Sequence, residues 1–247
     1  MYPENKNQQW QMNAGTYNAD QQSVVASGAF IQKVFSWMAI ALGITAVVAY
    51  YFSQSESMMR LLISPSGSLS LLGWVVMLAP LGFVLLMSFR FQRLSSGTLT
   101  LLFGGYSVIM GMSLSFILLA FTASSVFQTF AVTAGMFGLM AFLGYTTKTD
   151  LTRFGSLMIM GLIGIILASV VNWFLHSATM EYIISFIGVI IFTGLTAYDV
   201  QKLKRIGAGI EFGSESGNKL VIMGALTLYL DFINLFLFLL RFLGDRR

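Results

Sequence analysis

Cysteine is absent from the 247 residues, so the chain has no disulfide, thiolate metal site or thiol nucleophile. Histidine occurs once, as His176, with no second imidazole or thiolate to complete a zinc or haem site. No G-x-S-x-G elbow lies near it, which argues against a serine-histidine hydrolase. Charge is also scarce. Only 10% of residues are Asp, Glu, Lys or Arg, against 56% hydrophobic, and the mean hydropathy of +0.78 lies outside the range of soluble chains. The chain reads as an integral membrane protein. Its apolar runs are long and rich in Leu, Phe, Met and Gly, as in bilayer-spanning helices, and lack the alternating ten-residue strands of an outer-membrane barrel. The net charge of +4 fits Lys and Arg retained in cytoplasmic loops, so the expected partner is the lipid bilayer and no nucleic acid.

Residues 1–28 hold nine Asn and Gln and little apolar surface, and are expected to form a disordered cytoplasmic tail. No basic n-region opens the chain, so a cleaved signal peptide is not expected. Residues 29–247 are expected to form one transmembrane domain. Its seven apolar segments, about 29–52, 69–89, 98–121, 126–146, 154–175, 181–201 and 219–242, are each close to the ~20 residues that cross a bilayer. The fold class is an all-α seven-transmembrane-helix bundle. Ala131 with Gly135 and Ala134 with Gly138 are spaced for close helix approach.

Lys6, Lys33, Arg90, Arg93, Lys148, Arg153, Lys202, Lys204, Arg205 and Lys219 fall on one side of this layout, and the other connecting loops hold only Arg60. The N-terminus is therefore expected in the cytoplasm. Seven complete spans put Arg241, Arg246 and Arg247 outside, against that rule; a full last span is preferred over a re-entrant one because residues 219–242 are long enough.

Of ten acidic residues, only Asp199 and Asp231 lie inside apolar sequence. A helix-centre aspartate costs ~2.5–3.5 kcal/mol to insert and usually faces the bundle interior with a partner. Helices 6 and 7 run antiparallel, so the two acids can meet if helix 6 extends past residue 201 or helix 7 starts shallow. With the boundaries above they differ in depth by about 12 Å at ~1.5 Å per residue. Two carboxylates in a low-dielectric site cannot both ionise cheaply, so a meeting pair shares a proton and senses pH. Alternatively each acid bonds separately to a neighbour such as Tyr198, Tyr229 or Asn234. Arg90 and Arg93, ending helix 2 on the side of Asp199, are candidates to pair with it as a latch or to snorkel into headgroups.

The stretch LYLDFINLFLFLLRFLG at 228–244, the helix-6 ending YDVQKLK at 198–204 and YSVIMGMSLS at 106–115 closely resemble the Bax-inhibitor-1, or transmembrane Bax inhibitor motif, family in a bacterial form. The resemblance implies a bacterial inner-membrane protein, a fold with helix 7 central and a pH-dependent calcium leak. Asp199 and Asp231 fall on the family's di-aspartyl pH sensor, and Arg90 or Arg93 on its latch. Helix 2 here carries no acid. The resemblance implies no cofactor; calcium is the transported ion, held weakly by the two aspartates, because Ca²⁺ takes ~6–8 oxygens and two carboxylates make a poor tight site. It favours opening in acid.

Two other classes compete. Intramembrane aspartyl proteases also place an Asp after Tyr, as Tyr198-Asp199 does, but their Gly-x-Gly-Asp partner is replaced here by Leu-Tyr-Leu-Asp at 228–231. No enzyme activity is expected. A non-conducting scaffold that regulates a membrane protease or a stress response is the main alternative, its protein partner unknown. The Gly-rich RIGAGIEFGSESG loop lacks phosphate-binding spacing and reads as a connector.

Overall fold

The computed structural model describes residues 6–64, 67–211 and 213–246, with side chains from residue 25 onward. Eight α-helices are found among them: α1 (Lys6–Gln54), α2 (Glu56–Leu62), α3 (Leu71–Arg90), α4 (Ser96–Ala120), α5 (Ala123–Thr146), α6 (Thr152–Leu175), α7 (Ala178–Ala208) and α8 (Glu215–Leu243). All but the short α2 are long and apolar enough to cross a membrane. The result is an all-α membrane bundle.

Local chemistry sets where most spans begin. Ser70, Ser95, Thr122, Ser177 and Ser214 each cap a helix by accepting a hydrogen bond from the backbone N–H three residues on, and such a cap is worth ~1 kcal/mol. The N-cap of α6 is Leu151, which cannot do this. Asp150 substitutes by accepting from the Thr152 N–H at 2.9 Å. His176 closes α6 in the left-handed region at φ 51°, a terminating role, with its N–H on the Asn172 carbonyl.

The bundle is built around α8, which packs against α1, α4, α5 and α7. The helix predicted to be central is central. The periphery differs: α3 packs on α4 and α2, and α6 packs on α7.

Two expectations are corrected. Residues 6–28 were expected to be disordered, yet α1 starts at Lys6. This stretch has no proline, its Gln, Ala and Met are good helix formers, and it continues from an already formed span, so no new nucleus is needed. Residues 1–5 lie outside the described residues. The second correction concerns close approach. Ala131, Ala134, Gly135 and Gly138 are exposed, and nothing lies within 4 Å of a Cβ built on either glycine. The buried stripe of α5 is instead Ser125, Thr129, Thr133, Phe137, Ala141 and Gly144. A Cβ on Gly144 would collide with the Ala197 carbonyl, so α5 meets α7 there.

The last span is complete. Beyond it the chain returns to the connections at the far face: the Thr122 N–H donates to the Asp245 carbonyl at 3.1 Å, and Arg246 pairs with Glu181 at 2.8 Å. Arg241 lies 5.8 Å from the Phe238 ring centre. Two of the three C-terminal arginines are thus occupied locally.

Candidate functional site

Asp199 and Asp231 face each other across the α7–α8 seam. Gly188 abuts the ring of Phe238 and Gly224 abuts Leu203. That register puts Asp231 about one turn, ~5 Å, from the level of Asp199. The larger separation expected from sequence disappears because α7 runs on to Ala208 and α8 starts at Glu215. The two carboxyl groups are near enough to share a hydrogen bond. Asp231 is 5% exposed, and its buried Oδ2 atom has no hydrogen-bond partner among the described residues. Asp199 is half-buried.

Both acids line a cavity of about 730 Å³ whose floor is α7 and whose walls are α6 and α8. Three of its neutral polar groups share a pattern. Thr227 donates its hydroxyl to the Met223 carbonyl at 3.0 Å, Ser169 to Ile165 at 2.7 Å, and the Asn234 amide to Leu230 at 2.8 Å. Each hydroxyl spends its donor on its own helix and keeps oxygen lone pairs free, as does the Asn234 carbonyl. The polar part of the cavity is therefore rich in acceptors around the two acids, with the Lys202 ammonium at its edge. Toward the α8 C-terminus, Phe192 and Phe238 stack at 5.7 Å, with Gly188 leaving room for the Phe238 ring.

The other predicted residues divide. Asn234 and Tyr198 line the cavity, Tyr198 with its ring against Gly155. Tyr229 does not support the acids. Two residues before Asp231 on a helix, it points away from it, and its hydroxyl meets Thr45 at 2.8 Å in a fully buried group with Tyr106 and Phe103. Thr45 in turn donates to the Ser107 carbonyl at 2.9 Å, so this tyrosine ties α8 to α1 and α4. Arg90 and Arg93 are exposed, and neither forms an ion pair with either aspartate among the described residues. The cation that does line the cavity is Lys202, whose Nζ lies 6.0 Å from the Tyr198 ring centre.

Sequence reasoning passed over a clamp at the same end. Gln201 accepts from the Leu151 N–H at 2.9 Å and donates to the Thr149 carbonyl at 2.8 Å. Arg205 reaches Gln201 and Asp150, both at 2.6 Å, and Lys204 donates to the Tyr145 carbonyl at 2.7 Å. The Thr152 hydroxyl and the Arg205 guanidinium hold the Asp150 carboxyl well below the usual carboxylate range. The motif YDVQKLK thus carries one site residue, one cavity cation and the staple that fixes α7 to the α5–α6 connection. Its amide two residues after the acid was the available signal, hidden because Lys202, Lys204 and Arg205 had been read as markers of orientation.

The sequence profile described as Inhibitor of apoptosis-promoting Bax1 matches residues 28–247. The inner membrane protein YbhL of Escherichia coli (strain K12) is 48% identical over 219 residues, covering 88% of this chain and 92% of that protein. A protein of Borreliella burgdorferi is 44% identical over 228 residues, covering 92% and 97%. A membrane protein of Streptococcus pyogenes serotype M1 is 34% identical over 225 residues, covering 90% and 95%. With a match over residues 28–247 and relatives this similar along nearly their whole length, the chain belongs to the family of the inhibitor of apoptosis-promoting Bax1.

Proposed function

We propose that this protein is a pH-sensitive calcium leak of the bacterial inner membrane, with its N-terminus in the cytoplasm and Asp199 and Asp231 as the proton-sharing pair in the ion path. The observation that carries this reading is the concentration of oxygen acceptors around the pair: two carboxylates, the Asn234 carbonyl and two hydroxyl oxygens on one cavity. Hard oxygens suit Ca²⁺, and so few of them hold it weakly, as passage requires. Two facing acids in a dry site favour a state with a single proton between them. Lys202, one turn beyond Asp199, supplies the closing charge that sequence reasoning had assigned to Arg90 or Arg93. Protonation of Asp199 removes its attraction for the exposed Lys202, and ions then pass once the Phe192–Phe238 stack parts. This opening in acid agrees with the family resemblance.

The test is calcium flux in proteoliposomes at pH 6 and pH 8. Wild type should leak several-fold faster at pH 6, and Asp199→Asn should abolish the difference. Flux indifferent to both pH and this substitution refutes the proposal.

A second reading, a regulatory scaffold, is favoured by the length of α1. Its 49 residues extend ~74 Å at ~1.5 Å each, more than twice a bilayer's hydrocarbon thickness. The segment outside the membrane offers a helical surface to a partner. Deleting residues 1–24 should then abolish regulation while leaving calcium flux intact; lost flux on this deletion would instead tie the segment to the channel.

A further inference from the structure

We propose that the cavity beside Asp199 and Asp231 is also a binding site for a lipophilic ammonium ion, a single-chain alkyl amine that enters sideways from the bilayer. The site is defined by three features. Its polar part holds the two acids and the Thr227, Ser169 and Asn234 oxygens, acceptors that suit a group that can only donate, and Asp231 Oδ2 beneath them has no partner among the described residues. A primary ammonium has three N–H donors and no acceptor, which matches this surface. The remainder of the lining is aliphatic and aromatic and runs along α6 from Ile159 to Trp173, ~21 Å at ~1.5 Å per residue, a span that accommodates an alkyl chain; a hydrated metal ion has no use for it.

The third feature is access. The wall formed by α6 is open to the side: Ile166 is 53% exposed, Val170 51% and Trp173 71%, although all three line the cavity. These residues lie in the span itself, so the opening faces hydrocarbon. An amphiphile already in the bilayer can slide its chain along this wall and place its ammonium on the acids, without crossing water. Lys202 opposes such a ligand by occupying part of the cavity's negative field.

This site depends on the shape and chemistry of the cavity and is independent of the calcium reading. The experiment uses the full chain in lipid nanodiscs, with 12-bromododecylamine as probe and 12-bromododecanol as its uncharged counterpart. Bromine quenches tryptophan fluorescence, and the Trp173 signal is the difference between wild type and Trp173→Phe. Quenching by the amine should saturate, with half-saturation about 10-fold or more below that of the alcohol, the size expected from hydrogen bonds to charged groups. The double variant Asp199→Asn, Asp231→Asn should bring the amine back to the alcohol's value. Lys202→Met leaves both acids in place and should lower the amine's half-saturation further. Equal quenching by amine and alcohol, or an amine preference that survives loss of both acids, overturns the proposal. A protein that binds the amine but conducts no calcium refutes the calcium reading alone.

Discussion

Helices α6 and α8 are both apolar enough to span a membrane, and α6 is the more apolar of the two, yet they live in opposite surroundings. Over their most hydrophobic windows 67% of α8 is buried within the protein and only 11% of α6. Hydropathy therefore says that a segment enters the membrane and nothing about whether it meets lipid or protein. What separates the pair is polarity and size. The α8 helix carries Asp231, Asn234 and Tyr229, groups that hydrocarbon penalises, and Gly224, against which Leu203 and Val34 pack. The outer face of α6 is Ile, Leu, Val, Trp and Phe, which lipid accepts without a protein partner. The site lies where these two kinds of helix face each other over α7.

The comparison is broken most severely at the inner seam. Gly144→Leu drives a side chain into the Ala197 carbonyl and should lower stability by about 3 kcal/mol, whereas Gly164→Leu on α6, with nothing near its Cβ, should be close to neutral. Thermal or denaturant unfolding in detergent compares them, and equal losses would show that α6 is as constrained as the core. Next in size, Thr45→Val strips the partner from the buried Tyr229 hydroxyl and should cost about 1–2 kcal/mol in the same assay. Tyr229→Phe in that background should recover part of the loss.

The smallest effect belongs to the exposed clamp. Because the folded protein holds Asp150 below its ordinary range, its contribution is complete above about pH 4 and is lost as the pH falls through the depressed value. Asp150→Asn should lower the melting temperature at pH 7 only slightly, the group being exposed, and flatten its fall in acid by the same small amount. A large loss at pH 7 would mean that the staple is a core element.

The number of spans and their approximate ends were legible because each rests on length and apolar content, whereas the central last helix was implied by the family resemblance alone. The acids were legible because carboxylates are rare in such segments. Their separation was not, since it depends on α7 continuing through Gln201, Lys202 and Arg205, polar residues that resemble a loop until the clamp that binds them is seen. Facing direction was also hidden: Tyr229 and Asn234 look equivalent beside Asp231 in the sequence, but two residues and three residues along a helix lead to opposite sides. The small-residue pairs on α5 misled for the same reason, because spacing marks a stripe without saying which stripe is covered.

The account holds that Asp199 and Asp231 act as one unit in the ion path, and calcium flux at pH 6 and pH 8 for both single Asn variants and the double variant tests this most directly. A shared unit predicts that either substitution removes the pH response and that the double variant is no worse than the more impaired single. Losses that multiply in the double variant, as for two independent groups, would contradict it.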